Sequence, residues 1–97
     1  MSRIFENESV KMLIKAFMTL KTEEEFKDFL EDVMSTKEIL DISQRIVVAK
    51  MLSEQTVYNK IAEETGASTA TISRVNRSYA YGTGAYKTVL ERLKENG

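Results

Sequence analysis

The sequence contains no cysteine, no histidine and no proline, and each absence removes a class of structure or chemistry. Without cysteine there are no disulfides or thiolate nucleophiles, and without histidine there is no imidazole base. Together the two absences also take away the usual ligands of zinc, iron and copper. No metal site, no cofactor and no catalytic activity are therefore expected. No apolar run approaches the roughly 20 residues of a membrane-spanning helix, so no membrane partner is expected either. The first 20 residues carry Glu6 and Glu8 inside their apolar pattern and lack a small-residue cleavage site. They do not read as a signal peptide, which makes the expected location cytoplasmic. The lack of proline leaves glycine as the remaining breaker of helices, and the four glycines fall at positions 66, 82, 84 and 97. Everything between is free to be helical, and the expected fold class is all-α.

What is present fits one small domain over residues 1–97, or one half of an intertwined pair, because 97 residues bury too little surface for two independent cores. The formal net charge of −1 argues against a non-specific nucleic-acid coat. Its distribution matters more than its sum. Residues 1–52 hold eight Lys/Arg against ten Asp/Glu, while residues 66–97 hold five against two. The acidic extreme, Glu23, Glu24, Glu25, Asp28, Glu31 and Asp32, reads as a solvated helix face.

Apolar spacing predicts six helices. Val10, Leu13, Ile14, Phe17 and Leu20 recur every three or four positions and define the first. Thr22 and Glu25 form a capping box that opens the second, whose stripe is Phe26, Phe29, Leu30 and Val33. The third begins with Thr36 as its cap and runs to about Leu52. Its apolar residues, from Ile39 to Leu52, cover more than one face, as in a central helix. A short fourth helix is expected over Thr56 to Thr65, closed by Gly66, and a fifth from a Ser68 cap to about Ala80. The Gly82–Gly84 stretch then separates a last helix built on Tyr86, Val89, Leu90 and Leu93. Six striped helices make much apolar surface for so short a chain. The expectation is a homodimer whose N-terminal helices pack across the symmetry axis, the alternative being a self-sufficient six-helix monomer.

Residues 55–78, QTVYNKIAEETGASTATISRVNRS, have the spacing of a helix-turn-helix spanning about 55–79. Ala62 is small where the two helices cross, Gly66 permits a positive backbone angle, and Ile72 and Val75 anchor the second helix inward. That leaves Ser68, Thr69, Ala70, Ser73, Arg74 and Arg77 facing outward. This face is small, polar and basic, and residues 66–82 contain no acid. Small residues let a helix approach base edges, and arginines reach guanine or phosphate. Thr56, Tyr58 and Asn59, at the start of the first helix, are candidates for phosphate or base-edge contacts. Tyr79, Tyr81 and Tyr86 are expected as core or dimer contacts.

The segment GASTATISR (Gly66–Arg74), followed by Arg77-Ser78, resembles the tryptophan-repressor family. ILDISQR (Ile39–Arg45), feeding RIVVAKML, resembles its YerC/YecD branch. The resemblance implies an interlocked all-helical dimer that sets two recognition helices in successive major grooves. It also implies a candidate effector pocket for an amino-acid-like corepressor, at Gln44, Arg45, Arg74, Val75 and Ser78. In tryptophan-responsive members two arginines sandwich an indole. Arg74 matches the second, but Gln44 stands at the first, with Arg45 one residue later and about 100° round the helix. Val75 replaces the glycine after the second arginine, and its branched side chain intrudes on the ligand space. Both departures count against tryptophan as the ligand.

The reading is a sequence-specific regulator that binds double-stranded DNA, a repressor acting by occupying a promoter. Its rival is a helical protein–protein interaction module that carries a vestigial helix-turn-helix. Catalysis has no recognisable constellation. Glu63 and Glu64 are adjacent and point about 100° apart on a helix, so they do not make an acid–base pair.

Overall fold

A computed structural model of the chain describes residues 2–97. Among the described residues there are no strands. A 3-10 helix at Arg3–Glu6 precedes six α-helices: α1 (Glu8–Met18), α2 (Glu23–Val33), α3 (Thr36–Ser53), α4 (Tyr58–Thr65), α5 (Thr69–Tyr81) and α6 (Ala85–Asn96). No helix is long and apolar enough to cross a membrane among the described residues. The chain, expected as one domain, clusters into two compact units, Met1–Thr36 and Lys37–Gly97.

In the first unit, Asn7 caps α1 by accepting hydrogen bonds from the amides of Ser9 (2.8 Å) and Val10 (3.2 Å). Thr22 caps α2 by accepting from the amide of Glu25 at 3.1 Å. The capping box differs from expectation in its return bond, because the Glu25 carboxylate accepts from the Lys21 amide at 2.7 Å, one residue before the cap. Phe17 of α1 meets Phe29 of α2 edge-to-face with centroids 5.6 Å apart. The acidic face of α2 is exposed as expected, with Lys27 paired to Glu23 and Glu24. None of the 3-10 helix, α1 or α2 has a buried residue, so their apolar stripes meet each other without forming an interior.

The second unit has the core: Val48 and Ala49 from α3, Ile61 from α4, Ala67 from the turn, Ile72 and Val75 from α5, and Leu90 from α6. Among its described residues α3 reaches the core through Val48 and Ala49. Elsewhere on α3, Leu40 is 62% exposed, and Ile42, Ile46 and Val47 are also exposed. Thr36 is the first residue of α3 and so not its cap. The Asp41 carboxylate, hydrogen-bonded to Lys37 at 2.9 Å one turn away, raises the pKa of that fully exposed ammonium.

α4 begins two residues later than expected. The amide of Thr56 donates to the carbonyl of Met51 at 3.0 Å, which places Thr56 in the turn that closes α3, ahead of the first residue of α4. Val57 takes the N-cap position without a side-chain hydrogen bond. Gln55 sits just before this junction at φ 62°, the one non-glycine residue with a positive φ among those described.

Candidate nucleic-acid interface

Gly66 ends α4 at φ 74°, and its amide donates to the Ala62 carbonyl at 2.9 Å. This is the left-handed stop that glycine adopts without steric cost. Ala67, in the turn, is buried in the core. Ser68 then caps α5, accepting from the Thr71 amide at 3.1 Å. Helix, glycine turn, cap and helix thus stand in the register expected from the spacing.

Ile72, Val75 and Tyr79 carry α5 on the core, with Val75 only 2% exposed. At about 100° per residue, Thr69, Ala70, Ser73, Arg74 and Arg77 fall on the opposite arc. Ser68, Thr69, Ala70, Arg74 and Arg77 are exposed and Ser73 is half-buried. The salt bridges of the described residues lie elsewhere and join residues three or four positions apart. Among the described residues neither Arg74 nor Arg77 has a carboxylate partner, so both guanidinium groups stand free on one face.

The candidates on the other helix are less uniform. Tyr58 and Asn59 lie exposed in the first turn of α4, while Thr56 is half-buried in the turn before it. Among the candidate effector residues, Arg45, Arg74 and Ser78 are exposed and Val75 is part of the core. Gln44 is half-buried, and its side-chain amide donates to the carbonyl of Thr65, the last residue of α4, at 3.0 Å.

Two features went unseen in the sequence. The Gln44–Thr65 bond joins residues 21 positions apart, and no local pattern signals such a pair. Tyr81, expected as a core or dimer contact, is 85% exposed in a single chain. The available signal was its position four residues after Arg77, on the outward arc of α5. Tyr79 and Tyr86 do pack against the core, and the Lys87 ammonium lies 5.3 Å from the Tyr79 ring centre.

An all-helical chain whose second unit presents a glycine-turned helix pair with a free cationic outer face is a helix-turn-helix protein. The chain belongs to the Trp repressor protein family, whose model matches residues 8–94. It is 48% identical over 83 residues to the uncharacterized protein YerC of Bacillus subtilis, covering 86% of this chain and 80% of that one. A solved TrpR-like protein from Eubacterium eligens is 52% identical, with a TM-score of 0.90 over 96% of both chains. A crystal structure from Staphylococcus aureus matches at 40% identity and TM-score 0.88, covering 97% of this chain and 95% of that one. The family is one of regulator folds and not of enzymes.

Proposed function

We propose that this chain is a sequence-specific DNA-binding transcriptional regulator that works in the cytoplasm as a homodimer and represses by occupying a promoter. The observation that carries the reading is the division of α5. One side supplies Ile72 and Val75 to the core, while the other holds Arg74 and Arg77 exposed without carboxylate partners among the described residues. A structural helix has no need to keep two cations free on an acid-free face. A helix that enters a major groove does, with small N-terminal residues at base edges and arginines near guanine or phosphate. In this reading Thr69, Ala70 and Ser73 face bases, Arg77 contacts phosphate, and Tyr58 and Asn59 touch the backbone.

The dimer is supported by what one chain leaves uncovered. Among its described residues the first unit buries none, and α3 exposes Leu40, Ile42, Ile46 and Val47. An open apolar hollow on the second unit, lined by Ile46, Ala85, Tyr86, Val89 and Leu90, adds to the same demand for cover. Two-fold symmetry would then set paired recognition helices about 34–36 Å apart, one turn of the duplex. Tryptophan is not the expected effector, since Val75 stands where tryptophan-responsive members have glycine and the Gln44 side-chain amide already donates to the Thr65 carbonyl. An amino-acid-like corepressor of another kind would have Arg45, Arg74 and Ser78 as its exposed partners.

Selecting duplexes from a random pool, then measuring affinity against salt, tests the reading. A recovered palindrome with half-sites one turn apart, and affinity that falls steeply with salt, is expected. No enrichment over the starting pool, together with salt-insensitive binding, would leave the interaction-module alternative in its place.

A further inference from the structure

We infer that Gln44, a residue of α3 distant in sequence from the reading face, is a positioning residue for DNA recognition that holds the turn between α4 and α5 in its binding geometry. The inference rests on the DNA-binding reading above and adds to it a residue that touches no DNA. Its basis is the hydrogen bond from the Gln44 Nε2 to the Thr65 carbonyl, 3.0 Å long and partly buried, across 21 positions. The salt bridges seen among the described residues, by contrast, join residues three or four apart and so stiffen single helices.

Thr65 is where such a bond has most leverage. As the last residue of α4, its carbonyl is one of those that a helix end leaves without an internal partner. Its hydroxyl donates to the Ile61 carbonyl at 2.7 Å and accepts from the Ala67 amide at 3.1 Å. Gly66 follows at φ 74°, and Ser68 caps α5 immediately afterwards. The turn is thus fastened to α4 by the threonine hydroxyl and to α3 by Gln44. Thr69, the first residue of the reading helix, is four positions from the anchored carbonyl.

A recognition surface must be held to within about 0.5 Å of its working geometry by bonds that lie behind it. Remove the Gln44 donor and the Thr65 carbonyl loses a half-buried partner, while Gly66, which bears no side chain, offers little resistance to a shifted turn. The competent arrangement becomes one of several, and apparent affinity falls by the fraction that remains competent. Phosphate contacts are long and adjustable, so the loss is confined to base reading.

The test compares full-length wild type with Gln44→Leu, which keeps the volume and loses the donor, and Gln44→Glu, which sets a carboxylate against the Thr65 carbonyl. Affinity is measured for the selected duplex and for a random duplex, with thermal unfolding of each variant. About a tenfold loss on the selected duplex is expected, with random-duplex affinity and salt slope unchanged at temperatures where the variant is folded. Amide exchange at Gly66 and Ala67 should accelerate in the variants. In the wild type, a side-chain amide proton of Gln44 should exchange more slowly than those of an exposed glutamine, a measurement that needs no variant to fold. Equal affinity of wild type and both variants for the selected duplex overturns the role of Gln44 alone. Free exchange of the wild-type Gln44 amide overturns it as well. A wild type with no duplex preference overturns the DNA-binding reading and this role with it.

Discussion

Two residues with positive φ, eleven positions apart, bracket α4 and carry opposite side chains for the same backbone demand. Gly66, at φ 74°, has no atom within 4 Å of where a Cβ would stand, so strain and not crowding governs substitution there. Gly66→Val should lower the free energy of unfolding by about 1–3 kcal/mol through backbone strain alone, read as a reduced urea midpoint at unchanged slope. Gln55, at φ 62°, occupies the site after α3 where a glycine usually stands. Gln55→Gly should therefore stabilise by about 1 kcal/mol, and a lower midpoint would show that the Gln55 side chain makes a contact of its own. The need for glycine at 66 was legible, because Ala62, Ile72 and Val75 set the register around it. The same backbone angle at 55 was not, since glutamine carries no propensity that announces it.

At the scale of the element, α4 and α5 differ in how they begin. α5 has Ser68, whose hydroxyl accepts from an amide of the first turn, whereas α4 follows Val57, an N-cap that is 68% exposed and makes no capping side-chain hydrogen bond. Val57→Asp should raise the unfolding temperature through a gain of about 1 kcal/mol, since it supplies an acceptor and surrenders little burial. Differential scanning calorimetry reads this directly, and an unchanged temperature would mean that the α4 amides already have a partner. On the outer face of α5, Arg77→Ala should weaken binding to selected and random duplexes alike and reduce the salt slope by about one counterion. An unchanged slope would remove Arg77 from the phosphate contacts. The outward face of α5 was legible because a helix has one period, and fixing Ile72 and Val75 inward assigns every other position of α5. The expected start of α4 at Thr56 lies two residues early, because Thr56 sits in the turn that closes α3, with its amide on the Met51 carbonyl, a contact set by how that turn folds and not by local propensity.

For the whole molecule the exposed apolar surface decides the expected behaviour. Among the described residues the first unit buries none and the central helix leaves Leu40, Ile42, Ile46 and Val47 exposed, the surface on which the proposed homodimer rests. Unfolding temperature should then rise with protein concentration, and Leu40→Glu, at an exposed apolar position of α3, should shift the species in analytical ultracentrifugation from dimer towards monomer. A wild type that sediments as a monomer at micromolar concentration and unfolds in one concentration-independent transition would favour the self-sufficient six-helix alternative.

The all-helical class, the order of the six helices and the outward face of α5 were settled by the sequence alone, because each follows from spacing within a dozen residues: periodic apolar positions, caps, and glycines where helices stop. Which residues reach an interior, the commitment of Thr56 to a turn, the left-handed angle at Gln55 and the bond from Gln44 to Thr65 emerged with the fold. Each of these depends on which surfaces the packed chain covers or on how a turn closes. Sequence spacing specifies the faces of a helix, whereas burial and long-range hydrogen bonds depend on which faces meet.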